Sequence, residues 1–200
     1  MGKKLAVLIS NVGTGTNLQA IIDGVQNKEI NASIVIVISD TKKAFGLERA
    51  KKYNLKTEIV ANKEDLLTIL RKYNSDFICL SGWKQFILDK IINAYPQKIL
   101  NLHPGLIPDT IDGTVMNPDN TNASWNKGKL TDIAIKNFFD QHATYAGSSI
   151  HFLTHEFDFG PVLGRCFEKI KPNDTINSLY SRLKIKENIL YVKVLNKLCK

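Results

Sequence analysis

Five short apolar runs alternate with segments of helical period over the first half of the chain, and this rhythm restricts the fold more than any other feature. The runs are Leu5 to Ser10, Ala32 to Ser39, Lys56 to Val60, Asp76 to Ser81 and Lys98 to Leu102. The second reads Ala-Ser-Ile-Val-Ile-Val-Ile-Ser, a β-branched stretch without polar alternation, as expected of a strand buried on both faces. Between the runs, Thr16 to Gln26 carries Leu18, Ile21, Ile22 and Val25 at helical spacing, and helices are predicted at Ala44 to Tyr53, Lys63 to Tyr73 and Gln85 to Asn93. Strands that alternate with helices build a parallel sheet through crossover connections, and such sheets bind ligands beyond the carboxyl ends of their strands.

The pattern changes after residue 103. Pro108 to Lys129 is rich in Asp, Asn, Gly and Thr and reads as a long loop, of the length that in compact domains is functional or disordered. A helix over Thr131 to Gln141, two antiparallel strands over Thr144 to Leu153 and Pro161 to Ile170, and a last helix capped by Asn173-Asp174-Thr175 and running towards Leu198 follow. The prediction is an α/β, Rossmann-like, mostly parallel twisted sheet with helices on both faces and antiparallel C-terminal strands. It forms a single domain over 1–200, with a phosphate-binding half (1–103) and a C-terminal half (104–200) that carries the 108–129 loop.

Composition removes several classes of function. No apolar run approaches the roughly 18 residues of a membrane span, and the start, Met1-Gly-Lys-Lys-Leu-Ala-Val-Leu-Ile-Ser, reads as a first buried strand rather than a signal peptide. Cys79, Cys166 and Cys199 are far apart with no Cys-x-x-Cys pair, which argues against a disulfide framework or structural zinc and for a reducing, cytoplasmic setting. The formal charge of +8 fits either solvated lysine faces or a preference for anionic ligands such as phosphate or polyglutamate. The basic residues are dispersed and not interleaved with aromatics, so neither nucleic acid nor membrane is an expected partner.

Three segments carry chemistry. Asn101-Leu102-His103-Pro104-Gly105 ends a buried strand; alternate residues share a face, so Asn101 and His103 point together, an amide able to hold an oxyanion beside an imidazole able to move a proton. Gly15-Thr16-Asn17, opening the first helix, could cradle a phosphate, or could be a glycine turn with a polar cap. It matches neither Gly-x-x-x-x-Gly-Lys-Ser/Thr nor Gly-x-Gly-x-x-Gly, since Leu18 stands at the third glycine. In His151-Phe-Leu-Thr-His155-Glu156-Phe157-Asp158-Phe-Gly160-Pro161, Asp158 could meet His103 in space or cap its own turn. The histidine spacing matches no zinc signature, so no metal is expected.

Over almost its whole length the chain resembles the glycinamide ribonucleotide formyltransferases, folate-dependent enzymes of purine synthesis. The resemblance rests on Gly15-Thr16-Asn17-Leu18-Gln19-Ala-Ile-Ile, Ala44-Phe-Gly-Leu-Glu-Arg-Ala50, Leu80-Ser-Gly-Trp83, Asn101-Leu-His103-Pro-Gly105-Leu-Ile-Pro108 beside the family's Asn-Ile-His-Pro-Ser-Leu-Leu-Pro, and Ser149 to Pro161. It implies transfer of the formyl group of 10-formyltetrahydrofolate to the amine of glycinamide ribonucleotide, with small-molecule partners only, in a monomer or homodimer; the alternative acceptor is another amine, such as an amino sugar nucleotide. It implies catalysis by Asn101, His103 and Asp158, and ribotide binding by Gly15, Thr16, Asn17, Lys184 and Glu187. Folate would bind to Trp83, Lys84, Gln85, Phe86, Asn101, Thr154, His155, Glu156, Phe157 and Asp158. The chain departs from the family in a longer first loop over Asn11-Val12-Gly13-Thr14, a shorter Val60 to Lys72 segment, and a much longer Pro108 to Lys129 loop, expected to act as a substrate lid.

Overall fold

The computed structural model describes residues 2–10 and 15–200, and within them the alternation is realised. In chain order the elements are β1 (Lys3–Ile9), α1 (Thr16–Gln26), β2 (Ala32–Ser39), α2 (Phe45–Lys52), β3 (Thr57–Ile59), α3 (Leu66–Tyr73), β4 (Phe77–Leu80), α4 (Asp89–Ala94), β5 (Ile99–His103), α5 (Thr131–Asp140), β6 (Tyr145–Phe152), β7 (Val162–Lys169) and α6 (Ile176–Leu198). The strand order is β3-β2-β1-β4-β5-β6-β7, mostly parallel with an antiparallel C-terminal pair. Two compact units make up the chain: Met1–Asn101 with Tyr191–Lys200, and Leu102–Leu190. The predicted loop over Asn11 to Thr14 lies outside the described residues.

In the first unit β1 pairs in parallel with β2 and β4, β2 with β3, and β4 with β5. Leu5, Ala6, Val7 and Leu8 of β1 and Ile36, Val37 and Ile38 of β2 are fully buried, which is why these strands lack polar alternation. Leu18, Ile21 and Ile22 form the buried face of α1. Tyr191 is fully buried and donates its hydroxyl to the carbonyls of Leu80 at 3.2 Å and Leu100 at 3.4 Å, two acceptors on neighbouring strands. The register sets Leu8 beside Leu80 and Leu80 beside Asn101, so Ser10, Ser81 and Asn101 lie at or just past the carboxyl ends of adjacent strands.

In the second unit β6 and β7 run antiparallel with a register shift between Ile150 and His151. Ile135 and Phe138 of α5, Ala146 of β6, and Leu179 and Leu183 of α6 form its apolar cluster. The entry of α6 is closed reciprocally: Thr175 Oγ1 accepts from the Ser178 N–H at 3.1 Å, and Ser178 Oγ accepts from the Thr175 N–H at 2.9 Å. The 108–129 stretch is a loop with one isolated bridge, Met116 to Asn122.

Three element boundaries depart from expectation. The helix predicted from Gln85 starts only at Asp89, because the residues before it are drawn to strand ends: the Lys84 N–H donates to Ser10 Oγ at 3.0 Å, and Gln85 Nε2 to Asp40 Oδ2 at 3.2 Å. The helix predicted from Lys63 opens as a 3₁₀ turn, Lys63–Asp65, with Asn62 Oδ1 accepting from the Glu64 N–H. β5 runs on through His103 instead of stopping at Leu102. Among the described residues no helix is long and apolar enough to cross a membrane, and the cysteines are unbridged.

Candidate active site

β5 carries Asn101 and His103 two residues apart, hence on one face of the strand, and ends where Pro104 supplies no N–H and the Gly105 N–H turns back onto the His103 carbonyl at 2.9 Å. The imidazole is 2 % exposed. Its Nε2 lies 2.7 Å from the carbonyl oxygen of Trp125, and its Nδ1 lies 3.5 Å from Oδ1 of Asp158. The backbone of Asp158 is left-handed, φ 50°, a conformation that Asp and Asn accept more readily than most side chains. The turn that holds it is tied by Thr154, whose hydroxyl donates to the Phe159 carbonyl at 2.7 Å and accepts from the Glu156 N–H at 3.2 Å. Asp158 Oδ2 accepts from the Gly128 N–H at 2.8 Å, and its carbonyl accepts from Trp125 Nε1 at 3.0 Å.

Burial pushes the Asp158 carboxyl up, but the His103 imidazole and the Gly128 N–H outweigh it and hold the group below the ordinary carboxylate value. It is therefore a carboxylate at neutral pH. His151, fully buried on β6, behaves in the opposite way. Burial, joined by repulsion from His103 and opposed by Asp158, pushes its imidazole down to about 4, so it is neutral at pH 7; its Nδ1 faces the Phe152 carbonyl at 3.1 Å. Nearby, His155, Glu156 and Phe157 are exposed, and Lys127 pairs with Glu156 at 2.7 Å.

Lys184 and Glu187 form a second polar cluster of this unit. Glu187 is 2 % exposed; Ser148 Oγ donates to its Oε1 at 2.7 Å and Lys184 Nζ to its Oε2 at 3.1 Å. Burial pulls the Lys184 ammonium down, but Glu187 and Tyr180 outweigh that and raise it, so the lysine stays an ammonium.

In the first unit Gly15 sits immediately before α1 with φ 71°, and a Cβ there would come within 3.2 Å of both Arg49 Nε and Gly46 Cα. The Thr16 hydroxyl and the Asn17 amide oxygen are buried with no hydrogen-bond partner among the described residues. A helix N-terminus, two unsatisfied polar side chains and a guanidinium fit an anionic, hydroxylated group. At the neighbouring strand ends Ser10 Oγ donates to Asp40 Oδ2 at 2.7 Å, while Asp40 Oδ1, Ser81 Oγ and Trp83 Nε1 are buried without a partner among the described residues, and Phe86 is 72 % exposed.

Within the units the geometry thus brings together His103 with Asp158, Lys184 with Glu187, Thr154 with the Asp158 turn, and Gly15 with Thr16 and Asn17. It adds residues that the sequence reading did not single out. Trp125 and Gly128 of the long loop act on the His103 and Asp158 pair through backbone atoms, Ser148 holds Glu187, and Arg49 lies against Gly15. Of these, Arg49 lies within the Ala44 to Ala50 segment that carries the resemblance, and Trp125 stands out as a lone tryptophan in a polar loop. Among the described residues no group of three or more His, Cys, Asp or Glu could hold a metal ion.

The His103 and Asp158 pair can be set against known proteins. The family model described as "Formyl transferase" matches residues 3–195. The chloroplastic phosphoribosylglycinamide formyltransferase of Arabidopsis thaliana is 30% identical over 98% of this chain and 65% of its own length. The phosphoribosylglycinamide formyltransferase of Dictyostelium discoideum is 32% identical over 92% of each chain. The crystal structure of glycinamide ribonucleotide transformylase 1 from Symbiobacterium toebii superposes with a TM-score of 0.82 at 28% identity, covering 97% of this chain and 86% of that one. The chain spans less than two thirds of several curated relatives, 65% of the Arabidopsis protein and 13% of the Chironomus tentans trifunctional purine biosynthetic protein adenosine-3. With the match running almost end to end and the strand order carrying an Asn-x-His-Pro segment at the end of β5, this chain belongs to the formyl transferase family.

Proposed function

We propose that this protein transfers the formyl group of 10-formyltetrahydrofolate to the amine of glycinamide ribonucleotide, a cytoplasmic step of purine synthesis. The observation that carries the reading is the buried His103 imidazole beside the Asp158 carboxylate, on the strand that presents Asn101 two residues earlier. The names of the relatives supply the acceptor.

In this reading the acceptor amine attacks the formyl carbon, and its C=O becomes an oxyanion. The bond from that carbon to the folate nitrogen then breaks, and the proton lost by the amine ends on that nitrogen. Asn101 donates its amide N–H to the formyl oxygen, and the His103 imidazole donates to the oxyanion as it forms. Preorganised donors of this kind are worth roughly 2.7–4 kcal/mol each. Asp158 stabilises the protonated imidazole and accepts the amine proton through water. Gly15, Thr16 and Asn17 take the ribotide phosphate. Glu187 reaches a ribotide hydroxyl with lone pairs that Ser148 and Lys184 leave, since a carboxylate offers about four acceptor sites. Trp83 to Phe86 and Thr154 to Asp158 take the pterin.

The test is direct: purified protein with 10-formyltetrahydrofolate and glycinamide ribonucleotide, followed by folate absorbance. Turnover is expected. No turnover with this amine, but turnover with an amino sugar nucleotide, would move the acceptor; none with either would refute formyl transfer.

A further inference from the structure

His103 is held from two sides, and the two contacts are not equivalent. The Trp125 carbonyl is at 2.7 Å from Nε2, a full hydrogen bond, whereas Asp158 Oδ1 is at 3.5 Å from Nδ1, beyond the ordinary range. A carbonyl only accepts, so the shorter contact requires a proton on Nε2.

The carbonyl reaches the ring because residue 105 has no side chain. A Cβ on Gly105 would lie 1.8 Å from the Trp125 oxygen, and 2.9 Å from His103 Nε2. The Asn-Ile-His-Pro-Ser motif that this segment resembles has serine at that place, and this chain has glycine together with a much longer loop. The loop end is anchored closely. Ser124 O accepts from the Leu106 N–H at 2.9 Å, and Trp125 Nε1 donates to the Asp158 carbonyl at 3.0 Å. Asn126, 5 % exposed, donates to the carbonyls of Pro104 at 3.0 Å and Ala134 at 3.3 Å and accepts from Asn137 Nδ2 at 2.7 Å. The Trp125 ring packs against Phe159 with centroids 5.7 Å apart.

We propose that Trp125 is the positioning residue for His103: its backbone carbonyl, admitted by Gly105 and fixed by Asn126, takes the Nε2 proton, sets the ring orientation, and makes Nδ1 the nitrogen that works between Asp158 and the formyl oxygen. The loose Nδ1 contact is where a substrate oxygen can share the donor; the Nε2 contact is spent on holding the ring. Residues 124–128 are then a built-in wall of the site. The assignment of a reacting oxygen rests on the formyl-transfer reading, but the assignment of the Nε2 proton does not.

Long-range proton–nitrogen NMR on the full chain with ¹⁵N-labelled histidine reports which ring nitrogen of His103 carries a proton, with no substrate present. The expected result is a protonated Nε2 with a downfield, slowly exchanging resonance. Gly105→Ser, which forces the carbonyl away, and Asn126→Ala, which loosens it without adding atoms near the ring, should each lose that resonance. Each should also lower kcat roughly tenfold to a hundredfold, part of the roughly 10²–10⁴-fold that a positioned proton carrier contributes, while both KM values stay within about twofold. An unprotonated Nε2 in the parent protein overturns the proposal, as does parental kcat in folded forms of the variants. Should a variant not fold, the parental spectrum still decides. A protonated Nε2 without formyl transfer would remove the functional reading and leave the positioning of the ring standing.

Discussion

The Asp158 carboxylate faces His103 with one oxygen, Oδ1 at 3.5 Å from Nδ1, and gives the other to the Gly128 N–H at 2.8 Å. Because the two oxygens do different work, charge and geometry can be separated by mutation. Asn at 158 accepts the left-handed backbone and still offers an oxygen to Gly128, but it carries no negative charge. Asp158→Asn is expected to lower kcat by about a hundredfold or more while leaving the thermal transition within a few degrees. Activity within about twofold of the parent would show that the carboxylate has no part in the reaction.

Removing the imidazole is a different experiment, since His103 is structural as well as reactive. His103→Ala leaves the Trp125 carbonyl without its hydrogen-bond donor in a buried site, at a cost of about 1–3 kcal/mol. We expect loss of turnover together with a lower urea midpoint at unchanged slope. A midpoint equal to the parent's would mean that the contact with Trp125 contributes nothing to the folded state.

Which parts of this were legible in the sequence follows from the range of the forces involved. β2 was readable because a strand covered on both faces needs an unbroken apolar run, and α1 because three isoleucine and leucine side chains at helical spacing must share a face. The Gln85 region was misjudged as helix because what overrides its propensity is long-range, a pair of hydrogen bonds to Ser10 and Asp40. His103 and Asp158 were reachable through the motif and the turn chemistry around Asp158. The Trp125 contact was not, because a backbone carbonyl is the same in every residue; what admits it is the glycine at 105. The burial of both Glu187 oxygens by Ser148 and Lys184 left no trace, since it depends on how β6 and α6 meet.

At the start of α1, Asn17 is 4 % exposed, and its side-chain oxygen meets no hydrogen-bond partner among the described residues. A polar group that the described residues leave buried and unbonded is open to a ligand, so its removal is expected to cost binding and little stability. Asn17→Ala should raise the KM for the ribotide about tenfold, the equivalent of one neutral hydrogen bond, with kcat and the KM for the folate little changed. An unchanged ribotide KM would reduce Gly15 to Asn17 to a helix-capping turn.

The last prediction concerns acid and rests on His151, whose imidazole titrates near 4 in the folded chain against an ordinary value of 6.5. The unfolded chain takes up the proton around pH 6.5 and the folded chain only near pH 4, so between these values the unfolded state holds more protons. Stability from this residue is therefore complete above about pH 6.5 and is lost as the pH falls towards 4. Asp158 adds a separate loss at lower pH: its carboxyl titrates below the ordinary 3.8, so the stability it contributes goes as the pH falls through its folded value. Of these two steps only the histidine one operates between pH 7 and pH 5, and it amounts to about 2 kcal/mol. His151→Gln keeps a donor for the Phe152 carbonyl and removes the titration. Urea unfolding at the two pH values should show the parent losing about 2 kcal/mol more than the variant. Equal losses would place the proton uptake of this acid range on other groups.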